Sequence, residues 1–222
     1  MALMQADFWY DKWSSNEIGF DQNQPNPLLV AQWPALNLQP GAKVFVPLCG
    51  KSIDMVWLLQ QGFQVVGNEL SEEAIQRFFQ SLEIEPNITQ VGDFTLYQTT
   101  MVRIYVGDFF ALKDTHLGLV DATYDRASLV ALPAEMRIDY AQHLQTITNR
   151  ATQLLITFDY DQSQQAGPPF AIPAAEIETH YGSENQLKQL ASMPVKGGLK
   201  GGCEALEQVW LVAAENSVVQ KD

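Results

Sequence analysis

Residues 43–52, Lys-Val-Phe-Val-Pro-Leu-Cys-Gly-Lys-Ser, constrain this chain more than any other stretch. Val44, Phe45 and Val46 form the β-branched and aromatic run of a short buried strand. Gly50 permits a tight turn that a residue carrying Cβ would resist. Ser52 stands where a helix N-cap belongs, ahead of an apolar run from Ile53 to Leu59. Strand, turn and helix in this order present backbone N–H groups at the carboxyl end of a sheet strand. Ligands of α/β folds bind at such places. An ordinary strand-to-helix corner has the same local pattern, so function has to be read from the rest of the chain.

Several functions are set aside at once. Gly50-Lys51-Ser52 resembles the end of a phosphate-binding loop, but that loop needs a glycine at position 45, which is Phe. The three spaced glycines of a dinucleotide fingerprint are absent too, which disfavours an oxidoreductase. A net charge of -13 over 222 residues argues against nucleic acid or an anionic membrane as partner. Cys49 and Cys203 lie far apart, and His116, His143 and His180 are scattered, so no metal-ligand spacing appears. With no apolar run of membrane-spanning length and no signal peptide, the expected compartment is the cytoplasm.

Alternating patterns fill the chain. Residues 7–33 are rich in aromatics, with Phe8, Trp9 and Trp13 placed to share a helical face, Phe20 beyond them, and Asn26-Pro27 opening a short apolar helix. This segment reads either as a cap on one end of the sheet or as a lid over a ligand. A helix is expected over residues 52–61, then a strand over 63–69. That strand ends in Glu69, nineteen residues after Gly50. A carboxylate at this spacing suits a ribose diol, because it only accepts hydrogen bonds and can hold two hydroxyls. A solvated loop carboxylate is the alternative.

The next helix carries Ala74, Ile75, Phe78 and Phe79 on its apolar face and ends at Pro86-Asn87. Two strands follow, over residues 94–97 and 101–106, leading to Gly107-Asp108-Phe109-Phe110. Asp108 could accept from an exocyclic amine and Phe109 could cover a purine face. A strand over residues 119–123 leads to Arg126, which could pair with a ligand carboxylate or with Asp125. A helix begins at Pro133, a strand spans 153–158, and a helix begins at Pro173. Strands over 187–195 and 206–213 flank a glycine-rich hairpin at 196–202, and residues 215–222 read as a frayed tail. One α/β domain with a mostly parallel sheet accounts for this order.

Together these pieces resemble the thiopurine S-methyltransferase family, especially its bacterial members. The likeness is carried by Phe8-Trp9 with Trp13, Ile18-Gly19-Phe20, Asn26-Pro27-Leu28, and above all the run from Val46 to Met55. Glu69-Leu70-Ser71-Glu72, Gly107-Asp108-Phe109-Phe110, Tyr124-Asp125-Arg126-Ala127 and Gly167-Pro168-Pro169-Phe170 continue it in order. Asn68 stands where the family usually has an aliphatic residue, and the late hairpin has lysines but no arginine.

The resemblance implies a Rossmann-like, seven-stranded, mostly parallel sheet with a C-terminal antiparallel hairpin, the class I methyltransferase fold. It implies a single domain over residues 1–222 with 5–36 as an N-terminal lid, and a monomer. The implied cofactor is S-adenosyl-L-methionine, leaving as S-adenosyl-L-homocysteine. Trp13, Leu48, Glu69 and Arg126 would contact it, with Asp108 and Phe109 bordering its adenine and Glu69 taking the ribose. The implied reaction is S-methylation of a small aromatic or heterocyclic thiol such as a thiopurine, with Arg126 also orienting the acceptor. A methyltransferase for selenium, tellurium or halide acceptors, or a non-catalytic cofactor-binding domain, are the alternatives.

Overall fold

The computed structural model describes residues 2–18 and 21–215. Gly19 and Phe20, and the tail expected at 215–222 apart from Glu215, lie outside the described residues. The helices are α1 (Ala2–Ser14), α2 (Pro27–Gln32), α3 (Ile53–Gln60), α4 (Glu72–Ser81), α5 (Asp114–Leu117), α6 (Ala134–Ile147) and α7 (Ala174–Tyr181). The strands are β1 (Lys43–Val46), β2 (Gln64–Glu69), β3 (Asn87–Val91), β4 (Phe94–Gln98), β5 (Val102–Val106), β6 (Ala122–Arg126), β7 (Thr152–Tyr160), β8 (Asn185–Pro194) and β9 (Ala205–Ala214).

Among the described residues these strands form one sheet in the order β3-β4-β5-β2-β1-β6-β7-β9-β8. The five central strands, β5-β2-β1-β6-β7, are parallel. Antiparallel pairs close both edges. The expected Rossmann-like sheet with its C-terminal antiparallel hairpin is present as β5-β2-β1-β6-β7-β9-β8. The β3–β4 pair extends it to nine strands.

Period-two alternation explains the layering. Val44 and Val46 face one side of the sheet and Phe45 the other; Val65 and Val66 divide likewise, as do Leu154 and Leu155. The first side is covered by apolar residues of α2, α3 and α4, the second by those of α5, α6 and α7. A central strand buried on both faces needs this continuous apolar run. Trp33 seats the N-terminal segment in the first layer, meeting Trp57, Phe63 and Tyr124 edge-on.

Two boundaries differ from expectation. The strand expected at 119–123 runs instead from Ala122 to Arg126, with Ala122 opposite Val44 of β1. Leu119 is 78% exposed, and the buried leucine is Leu117, which closes α5. Asp121 explains the shift. Its carboxylate accepts the Lys43 N–H at 2.7 Å and its own N–H donates to the Lys43 carbonyl at 2.8 Å, so pairing with β1 begins there. The other difference is β3, placed where the chain was read as ending a helical unit. Its residues are nearly all exposed, so no alternation marks it.

Candidate functional site

The order of the sheet reverses between β1 and β6, the place where open α/β sheets bind ligands at the carboxyl ends of their strands. The turn after β1 forms the floor of this candidate site. Leu48 adopts φ 45° and Gly50 φ 52°, so two of three consecutive residues are in the left-handed region. Leu48 is there without the freedom of glycine, a strained conformation of the kind that gathers at ligand sites. Ser52 then caps α3, its hydroxyl oxygen accepting the Asp54 N–H at 3.2 Å.

Glu69 ends β2 beside this turn and is 6% exposed. Its Oε2 accepts the Gly50 N–H at 2.8 Å, and its Oε1 accepts the Ser71 N–H at 2.9 Å. Burial pushes its pKa up, and the backbone donors from Ser71, Gly50 and Leu70 pull it back. A carboxylate has about four lone-pair directions, so each oxygen retains acceptor capacity after these bonds. The Cys49 thiol is also pushed up, by burial first and then by the nearby Glu69 charge. A buried, high-pKa thiol is a poor nucleophile.

Asn68 has a definite structural task. Its Nδ2 donates to the carbonyls of Tyr105 at 2.9 Å and Gly107 at 3.1 Å, while its backbone carbonyl accepts the Cys49 N–H at 2.8 Å. The Gly107 N–H donates in turn to the Glu69 carbonyl at 2.9 Å. The polar side chain where the family pattern is aliphatic thus ties the end of β2 to the end of β5, while the bond to the β1 turn is a backbone bond.

Trp13 of α1 covers the floor. It is 2% exposed, and a Cβ added at Gly50 would lie 3.1 Å from its ring. Glycine is required here for close approach as well as for φ. Beyond α1, Asp21 and Lys51 form an ion pair between the N-terminal segment and the same turn. Phe8 and Trp9 do not share the buried setting of Trp13; Phe8 is 38% exposed.

Asp108 is exposed after β5 and accepts the Phe110 N–H at 3.0 Å, the Asx-turn bond that starts the next turn. The Phe109 ring is buried away in the second layer, tilted against Tyr140 at 4.9 Å and edge-on to His143 at 5.1 Å. Arg126 stands half-buried as the last residue of β6. Two residues on, the Ser128 hydroxyl donates to the Pro47 carbonyl at 2.8 Å and locks this loop to the β1 turn. The structure therefore brings the β1 turn, Glu69, Gly107 and Trp13 together by direct contact, with Asp108 next in the chain. It brings the β6 loop that follows Arg126 to them through Ser128. Ser128 was not singled out in sequence, because nothing local marks a contact made across 81 residues.

The geometry suits S-adenosylmethionine: a left-handed turn after β1 with Trp13 packed on it, a buried carboxylate with acceptor capacity left, and an exposed acid at the next strand end. The thiopurine S-methyltransferase family model matches residues 4–219. The chain belongs to the thiopurine S-methyltransferase family. A relative named thiopurine S-methyltransferase from Teredinibacter turnerae is 51% identical over 207 residues, 93% of this chain and 96% of the relative. One of the same name from Xanthobacter autotrophicus is 48% identical over 210 residues, 94% and 99% of the two chains.

Solved structures of other methyltransferases share the fold at low identity. The 1,6-didemethyltoxoflavin-N1-methyltransferase of Burkholderia thailandensis, with S-adenosylhomocysteine bound, superposes with TM-score 0.63 at 16% identity, over 96% of this chain and 88% of the other. Magnesium protoporphyrin IX methyltransferase from Synechocystis, also with S-adenosylhomocysteine, gives 0.62 at 15% identity, over 93% and 99%. For this thiopurine S-methyltransferase family member, no helix among the described residues is long and apolar enough to cross a membrane.

Proposed function

We propose that the protein transfers the methyl group of S-adenosylmethionine to the sulfur of a small heterocyclic thiol, with thiopurines as the type substrate. The observation that carries this reading is Glu69, buried at the end of β2 and fixed between the Gly50 and Ser71 N–H groups. It holds the ribose hydroxyls of the cofactor. Leu48 lies against the methionine end, Trp13 covers it, and Asp108 with the Phe109 segment borders the adenine. Arg126 contacts the cofactor and orients the anionic acceptor.

When bound, S-adenosylmethionine supplies an electrophilic methyl on a cationic sulfonium leaving group. The protein's own task is then alignment and exclusion of water. Heteroaryl thiols ionise readily, so Arg126 has only to favour the thiolate and no side chain need remove its proton. Residues 5–36 act as the lid, supported by Trp13 packed over Gly50 and by the Asp21–Lys51 pair. The protein works in the cytoplasm as a monomer.

Calorimetry with S-adenosylmethionine and S-adenosylhomocysteine tests the cofactor assignment. Binding in the micromolar range, about -8 kcal/mol, is expected for the parent. Glu69→Ala should lose it while keeping a cooperative unfolding transition. Parent-like affinity in that variant would remove Glu69 from the site. A screen of aryl thiols against the parent then tests the acceptor, and methylation of no thiol would overturn the S-methyltransferase reading.

A further inference from the structure

Asp54 has no part in the contacts assigned above, yet it is 1% exposed in the first turn of α3. A buried carboxylate needs partners for its oxygens. Oδ1 accepts the backbone N–H of Asn26 at 2.7 Å, and Oδ2 accepts the Tyr124 hydroxyl at 2.8 Å. One partner comes from the N-terminal segment and the other from β6. Asn26 is the N-cap of α2, its Oδ1 accepting the Leu28 N–H at 2.8 Å, and it closes the N-terminal segment that carries Trp13. Its Nδ2 also donates to Glu207 of β9 at 3.1 Å. Tyr124 lies in β6 two residues before Arg126, so both side chains leave the same face of the sheet. The Arg126 charge reaches the Tyr124 phenol, where it opposes the upward push of burial and of Asp54.

We infer that Asp54 is a positioning residue for methyl transfer. Through Tyr124 it sets Arg126, and through Asn26 it sets the root of the N-terminal segment, so one buried carboxylate registers both elements against the β1 turn. The inference rests on the cofactor reading above. It adds residues that touch neither cofactor nor acceptor.

A double-mutant cycle on S-adenosylhomocysteine affinity tests it, measured by calorimetry on the full chain. The four proteins are the parent, Asp54→Asn, Arg126→Ala and the double variant. Asparagine keeps an oxygen for the Asn26 N–H but removes the charge and turns a donor toward the Tyr124 hydroxyl, so that bond is reversed and weakened. If Asp54 acts through Arg126, each single variant binds about tenfold more weakly and the double binds little worse than Arg126→Ala. A loss in the double equal to the product of the singles, on the order of a hundredfold, overturns the inference. So does a lower urea midpoint with unchanged affinity, since that is a purely structural role. Should Asp54→Asn not fold, Tyr124→Phe replaces it in the cycle with the same expectations, because it removes only the hydroxyl. A parent that does not bind fails the cofactor reading itself and takes this inference with it, a result distinct from an additive cycle.

Discussion

Asp125 is the neighbour of Tyr124 on β6, and its side chain leaves the opposite face of the sheet. It is fully buried, accepts the Tyr140 hydroxyl at 2.8 Å and the Gln153 amide at 3.2 Å, and its pKa is raised from 3.8 to about 6, chiefly by burial. An acid whose folded pKa exceeds its unfolded one binds its proton more tightly when folded. Its contribution to stability is therefore greatest below about pH 4, declines as the pH rises to about 6, and is level beyond that. In Asp125→Asn this decline is absent. Urea unfolding of parent and variant should show the parent losing roughly 2 kcal/mol relative to the variant between pH 4 and pH 7. A difference between the two that does not change with pH would contradict it. Glu69 is raised in the same direction, so the comparison with the variant isolates Asp125.

Elements meet through α6 at a second polar junction. Arg137 is 4% exposed; its Nε donates to the Leu132 carbonyl at 2.8 Å and its Nη1 pairs with Glu176 of α7 at 2.7 Å. His180 reaches the same Glu176 oxygen at 3.1 Å. The guanidinium also lies over the Phe170 ring at 5.2 Å, and the Phe170 N–H donates to Val130 at 2.7 Å, beside the β6 loop. Arg137→Ala leaves Glu176 without its cation and Phe170 without its stacking partner. We expect a loss of about 3 kcal/mol in urea unfolding, with S-adenosylhomocysteine affinity unchanged because the β1 turn is untouched. An affinity loss comparable to that of Glu69→Ala would refute the separation.

Much of this element layout was legible in sequence. The run Val44 to Ser52, the spacing to Glu69, and the face of α4 all follow from apolar periodicity, residue spacing and capping residues. β3 was not legible, because Asn87, Thr89 and Gln90 are exposed and make their case only by pairing with β4. The start of β6 was misplaced because apolar Leu119 is exposed while polar Asp121 opens the pairing. In the candidate site, glycine and carboxylate spacing pointed to Gly50 and Glu69. Asp54, Ser128 and the bonds of Asn68 act across distant parts of the chain, where no local pattern records them.

For the whole molecule, a net charge of -13 acts on folding as well as on partners. Like charges spread over one compact body repel, and added salt screens them. The described ion pairs at Arg77–Glu73 and Arg150–Glu184 are partly or largely exposed and contribute little against that repulsion. The melting temperature should rise by a few degrees, equivalent to about 1 kcal/mol, between low and physiological ionic strength. A fall would mean that surface ion pairs outweigh the repulsion.

The polarity of the sheet also has a practical meaning for anyone building with this protein. The residues assigned to cofactor and acceptor gather at the carboxyl ends of the parallel strands, and the loops that enter those strands lie at the other end. Asn149 and Arg150, exposed and both in the left-handed region before β7, occupy one such loop. A fluorophore, an affinity handle or an inserted domain placed there would be carried on the far rim of the molecule. Chemistry at the opposite rim would proceed beneath a reporter that never meets it.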